Sequence, residues 1–175
     1  HCGYCKHMLP VLNETLDKDK KVRFVFVEYP ILSDDSVTAS RAALAVNRIA
    51  KDKYFDYHSV LMKASGKFDE KFLMEAAKKL GIDTKKLKEE MAKPEITAAL
   101  DKNREMAGAL NISGTPALIL GDEIMGGAVD YDTLKKVIVA VRAGKKPSEA
   151  MKSMEPVDNK APAAEAPKNL SLIHI

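Results

Sequence analysis

His1-Cys2-Gly3-Tyr4-Cys5-Lys6-His7 holds both cysteines of the 175-residue chain. Cys5, Met8, Leu9, Leu12 and Leu16 recur at spacings of three and four, which makes one apolar helical face over residues 2 to 16. Pro10 falls inside that helix and is expected to kink it. Two thiols at the Cys2–Cys5 spacing lie within one helical turn, close enough to close a small disulfide ring. A helix N-terminus stabilises a thiolate at the first of them. Cys2 is therefore the expected nucleophile, and Cys5, one turn inside, is the expected resolving thiol that attacks a mixed disulfide. The alternative is half of a metal site with His1 or His7 as added ligands. A structural zinc needs a second pair of ligands, and beyond these residues the chain offers only His58 and His174 and no further cysteine, so no metal site is assigned.

Outward from that stretch, 46% apolar and 30% charged positions describe one globular domain of ordinary size. A formal charge of +3 is too small and too interspersed for an electrostatic footprint on nucleic acid, and no nucleic-acid partner is expected. No apolar run approaches the roughly 18 residues that cross a bilayer. The chain opens on His1 rather than Met, which reads as truncation; a signal peptide is expected upstream of it.

Asp17 to Lys21 reads as a solvated turn and Val22 to Tyr29 as a mostly buried strand ended by Pro30. From Ser33 to Leu110 the pattern is helical. Ser33 to Ser36 offer N-caps for a helix to about Ala50, Tyr54 to Lys63 form a short helix, and Phe68 to Leu80 keep helical spacing until Gly81. Asp83 starts another short helix, and Pro94 suits the first turn of the next. Ala117 to Leu120 and Glu123 to Met125 read as a hairpin, followed by a helix capped by Asp130 or Asp132 and stopped near Gly144. Residues 144–175 form a Pro/Ala/Lys-rich tail expected to be disordered from Pro156 onward. Its last residues, Leu170 to Ile175, break from that composition and read as adapter read-through.

Cys2-Gly3-Tyr4-Cys5, the segment Glu28-Tyr29-Pro30-Ile31-Leu32, Ala42-Ala43-Leu44-Ala45, and Gly114-Thr115-Pro116-Ala117 through Gly126-Gly127-Ala128 together resemble the DsbA family of periplasmic thiol-disulfide oxidoreductases. The resemblance covers residues 1–143. It implies an α/β thioredoxin fold with a helical insertion, here about 33–110, and a cis-proline at Thr115-Pro116 whose loop binds an extended substrate backbone. It also implies a central strand immediately before the cysteines, so the first core strand is expected to be missing from this chain. The expected activity is disulfide exchange with unfolded or misfolded exported proteins in the bacterial periplasm. The pair Cys2–Cys5 needs no further cofactor, and a membrane redox partner resets it. The dipeptide Gly3-Tyr4 and Thr115 before the proline are similar to DsbC-type isomerases, which leans the direction toward isomerase or reductase rather than oxidase. Homo-oligomerisation through an N-terminal extension follows from the same likeness.

Rival readings use the same residues. His1, Cys2, Cys5 and His7 could hold a soft ion such as Cu(I), since thiolates suit it, in a copper-binding or metal-tolerance protein. A redox-independent chaperone is the other. Tyr4 is either a substrate contact or a helix-surface residue, and His7 either tunes Cys2 or is solvated. Glu28 is either a buried carboxylate assisting proton transfer to Cys5 or a satisfied residue at a strand's edge. The methionines are spread at core-like spacings and read as packing.

Overall fold

Each helix that starts on a side-chain cap does so where its sequence supplies an acceptor. The computed structural model describes residues 1–152 and 170–174. In it α1 runs Gly3–Lys18, α2 Asp34–Ile49, α3 Tyr54–Lys63, α4 Glu70–Lys79, α5 Thr84–Met91, α6 Pro94–Ala109, α7 Tyr131–Arg142 and α8 Pro147–Lys152, with a short 3-10 turn at Lys51–Lys53. Ser33, Asp69, Asp83 and Asp130 accept backbone N–H groups in the first turns of α2, α4, α5 and α7, satisfying donors that have no partner within the helix. At the far ends, Gly81 (φ +65°) stops α4, and Asn111, the non-glycine residue at φ 56°, stops α6 in the same left-handed geometry. Ile112 N–H then returns to the Ala107 carbonyl.

The strands are β1 Val22–Phe26, β2 Ala117–Leu120, β3 Glu123–Gly126 and β4 Leu170–His174, in one four-stranded sheet of order β1-β4-β2-β3. The β2–β3 hairpin is antiparallel, pairing Ala117 with Gly126 and Leu120 with Glu123. β4 runs parallel to β1, pairing Val22 with Leu170 and Phe26 with His174, and antiparallel to β2.

The chain divides into two units, His1–Lys6 with Val27–Gly114, and His7–Phe26 with Thr115–Ile175. The first is helical, and its core joins Ala42, Ala43 and Val46 of α2 to Tyr57, Leu73, Leu87 and Ile96. The second holds the sheet, whose core joins Met8 and Leu12 of α1 to Leu118, Leu120, Met125, Leu134 and Ile138.

Several sequence readings need correction. The helix opening on the cysteines runs to Lys18, two residues past the expected end, with Pro10 inside it. Asp17 to Lys21 is not merely solvated: Asp19 accepts from both terminal nitrogens of Arg142 at 2.5 and 2.9 Å, and this holds its carboxyl below the ordinary range. β1 ends at Phe26 rather than Tyr29, and two residues on, the Glu28 main-chain carbonyl is taken by Asn103 of α6. The expected tail is structured in two places. Pro147–Lys152 is helical, with Ser148 donating from its N–H (2.7 Å) and hydroxyl (2.8 Å) to Glu123, and Leu170–His174 is a strand. β4 lies between β1 and β2 in this sheet, and among the described residues no strand precedes the cysteines. Without β4, β1 and β2 would each show an unpaired row of backbone groups, and an extended apolar stretch is the element that satisfies both rows. Most of the stretch expected to be disordered, residues 156–169, lies outside the described residues.

Candidate active site

Cys2 sits immediately before the first residue of α1, and the first intrahelical bond runs from Lys6 N–H to its carbonyl at 3.1 Å. Its side chain takes the place of an oxygen cap: Cys5 N–H points at Cys2 Sγ, 3.1 Å away. The two sulfurs are joined as a disulfide, with Cα atoms 5.2 Å apart across the first turn. Both cysteines are partly exposed. Opening the disulfide leaves Cys2 sulfur facing an N–H donor and the positive end of a helix, an environment that favours the thiolate over the thiol.

The ends of this turn are held by residues distant in sequence. His1 Nε2 lies 3.5 Å from Asp35 Oδ2 in α2, and its ring stands edge-on to Phe68 at 4.8 Å between centroids. The Lys6 ammonium donates to the carbonyl of Ala64, the C-cap residue of α3. Between these anchors Gly3 has nothing within contact distance of its missing Cβ, and Tyr4 is 69% exposed.

Glu28 is a buried carboxylate of the same unit. Its Oε2 accepts from Ser40 Oγ at 2.8 Å, its Oε1 accepts from Tyr54 Oη at 2.8 Å and meets His58 Nδ1 at 3.2 Å, and its carbonyl accepts from Asn103 Nδ2 at 2.9 Å. A carboxylate can only accept, so the proton on the shared line belongs to His58 Nδ1. Burial works against the ionised form, but the bond and charge of His58, then the bonds from Tyr54 and Ser40, outweigh it and hold Glu28 below the ordinary carboxyl range. Burial, then the Glu28 charge, pushes the Tyr54 hydroxyl well above its usual value.

In the second unit the Thr115–Pro116 peptide is cis, at the entry to β2, and Gly127 N–H donates to the Pro116 carbonyl at 2.8 Å. His7 is exposed on α1. Among the described residues no three of His, Cys, Asp or Glu gather where they could hold one metal ion, so the copper reading gains no support from geometry. No described helix is long and apolar enough to cross a membrane.

Sequence reasoning singled out Cys2, Cys5, Thr115 and Pro116 and weighed Glu28, but it missed Asp35, Ala64 and Phe68 at the ends of the cysteine turn. It also missed Ser40, Tyr54, His58 and Asn103 around Glu28. Tyr54 and His58 lie four apart and so share a helix face; that spacing was visible, but nothing in it named a partner 30 residues upstream.

The DSBA-like thioredoxin domain family matches residues 1–139. The chain is 25% identical over 138 residues to the probable disulfide bond formation protein D of Bacillus anthracis, covering 75% of this chain and 63% of that protein. It thus spans less than two thirds of that relative's length. Among solved structures it is similar to a thioredoxin-like oxidoreductase from Silicibacter pomeroyi DSS-3, with TM-score 0.74, 34% identity and 81% of each chain covered. The thiol-disulfide exchange protein alpha-DsbA2 from Wolbachia pipientis is similar at TM-score 0.75 and 30% identity, over 80% of this chain and 76% of that one.

Proposed function

Because this chain belongs to the DSBA-like thioredoxin domain family, we propose that it is a thiol-disulfide oxidoreductase that works through Cys2 and Cys5 on unfolded or misfolded exported proteins. The observation that carries this reading is the Cys2–Cys5 disulfide closed over the first turn of α1, with Cys2 Sγ facing the Cys5 N–H. In the reduced enzyme the Cys2 thiolate attacks one sulfur of a substrate disulfide. The substrate S–S bond breaks, the departing sulfur leaves with the electron pair and takes up a proton, and a Cys2–substrate mixed disulfide remains. If another substrate thiolate attacks that bond, Cys2 is released unchanged and the substrate is isomerised. If the Cys5 thiolate attacks it, Cys2–Cys5 closes, and the substrate has gained two electrons and two protons. Run backwards, the same steps oxidise a substrate dithiol.

Gly3, Tyr4 and Thr115 lean the direction toward isomerase or reductase. Such an enzyme must receive electrons from a membrane redox partner, and no cofactor beyond the cysteine pair enters. Thr115 and Pro116 are assigned to the backbone of the bound substrate, in the manner of strand addition. A dithiol–disulfide cycle on exported proteins belongs in an oxidising compartment, here the bacterial periplasm, and self-association goes with the isomerase reading. The test is disulfide exchange on a scrambled protein substrate, expected to be abolished in Cys2→Ser; undiminished exchange in that variant overturns the proposal. A reduction potential near the strongly oxidising end, about −120 mV, would overturn the isomerase lean.

A further inference from the structure

Glu28 lies outside the exchange chemistry, yet its bonds reach the helices that hold the cysteine turn. Ser40, which donates to its carboxylate, belongs to α2, and α2 carries Asp35, the partner of His1. Tyr54 and His58 belong to α3, and α3 ends at Ala64, the partner of Lys6. His1 precedes Cys2 and Lys6 follows Cys5, so the turn is gripped at both ends by helices pinned to one buried side chain. Asn103 of α6 fixes the Glu28 main chain itself.

We propose that Glu28 is a positioning residue for the redox pair: its clamp on α2 and α3 sets the Asp35 and Ala64 anchors of His1 and Lys6, and thereby the balance between disulfide and dithiol. The proposal rests on the thiol-disulfide reading above. A constraint shifts an equilibrium only by acting differently on its two states. The disulfide form is already closed by a covalent bond, so the anchors restrict it little further. The dithiol form has no such bond, and the same anchors deny it freedom it would otherwise gain. Loosening the clamp therefore favours the dithiol and makes the protein more oxidising.

The test measures the equilibrium constant with reduced and oxidised glutathione for the full chain and for Glu28→Gln, which removes the charge facing His58 but keeps an acceptor. The expected shift is about threefold or more toward the dithiol, about 15 mV at roughly 30 mV per tenfold. Asp19→Asn serves as the control: its carboxylate is held by Arg142 of the sheet unit, and neither residue belongs to α2 or α3. Its equilibrium should match the parent even where its melting temperature falls. The double change Asp35→Asn with Lys6→Met cuts the anchors without touching the core and should reproduce the Glu28→Gln shift. Combined with Glu28→Gln it should add nothing further, because both act through one route. If Glu28→Gln does not fold, the anchor variant decides alone. A parent that exchanges with glutathione while both variants stay within about 1.5-fold of it overturns the positioning role and leaves the oxidoreductase reading standing. A parent that does not exchange at all overturns both.

Discussion

The helical unit and the sheet unit close their interiors by different means. In the first, α2 buries small side chains, Ala39, Ala42, Ala43 and Ala45, against its neighbours, and the helices around Glu28 are joined by directed bonds to that one carboxylate. In the second, the interior is built from large apolar side chains, Met8, Leu12, Leu118, Leu120, Leu134 and Ile138. Apolar burial contributes area without direction, whereas a buried charge is tolerated only at defined distances from its partners. Small residues let helices approach but leave their rotation loosely specified, and the Glu28 bonds supply the missing direction. The anchored cysteines belong to the unit with directional contacts.

The strongest way to break this comparison is Glu28→Ala. Removing one member of a buried ion pair takes away the acceptor that His58, Tyr54 and Ser40 share and is expected to cost about 4 kcal/mol in chemical denaturation. Amide exchange should rise first in α2, α3 and α6; an equal rise in β2 would erase the distinction between the units. Leu118→Ala in the sheet core, where the side chain is fully buried, should cost about 3 kcal/mol through lost transfer energy and a cavity. Its loss should be insensitive to pH between 5 and 2, unlike that of the Glu28 variant. Ile173→Pro asks whether the inner strand matters to the sheet. Ile173 pairs with both Val25 and Ile119, so removing its N–H strands a ladder acceptor and should cost about 2 kcal/mol. Exchange would rise in β1 and β2 while the helices around Glu28 stay protected.

The smallest expected effect is on the acid limb. Glu28 titrates below its unfolded value in the folded protein, so its contribution is present above the ordinary carboxyl pKa and is lost as pH falls through the lower folded value. Asp19, held down by Arg142, behaves likewise, and its 28% side-chain exposure makes its share the lesser. Denaturation between pH 5 and 2 should show the decline, and Glu28→Gln should flatten it. An unchanged slope in that variant would remove Glu28 as its source.

Much of this molecule is legible from local chemistry. Ser33, Asp83 and Pro94 mark helix starts because a cap or a fixed φ acts within one turn, and Gly81 marks a stop for the same reason. Tyr54 to Lys63 and Ala117 to Leu120 coincide with their elements to the residue. The Cys2–Cys5 spacing states its chemistry because the disulfide closes within one turn. Where the readings fail, the deciding partner is remote: just past β1 the Glu28 carbonyl is taken by Asn103, 75 residues on, and Asp19 meets Arg142 across 123 residues.

The sequence by itself determined most of the element types up to Gly144, most of the caps and the Cys2–Cys5 disulfide pair, since each depends on residues a few positions apart. The tertiary structure decided that Glu28 is a hub rather than an edge residue, that His1 and Lys6 are anchored, and that Leu170–His174 fills the inner place of the sheet. A buried charge and an unpaired strand edge each demand a partner but do not say where along the chain it lies. Only the folded chain supplies that address.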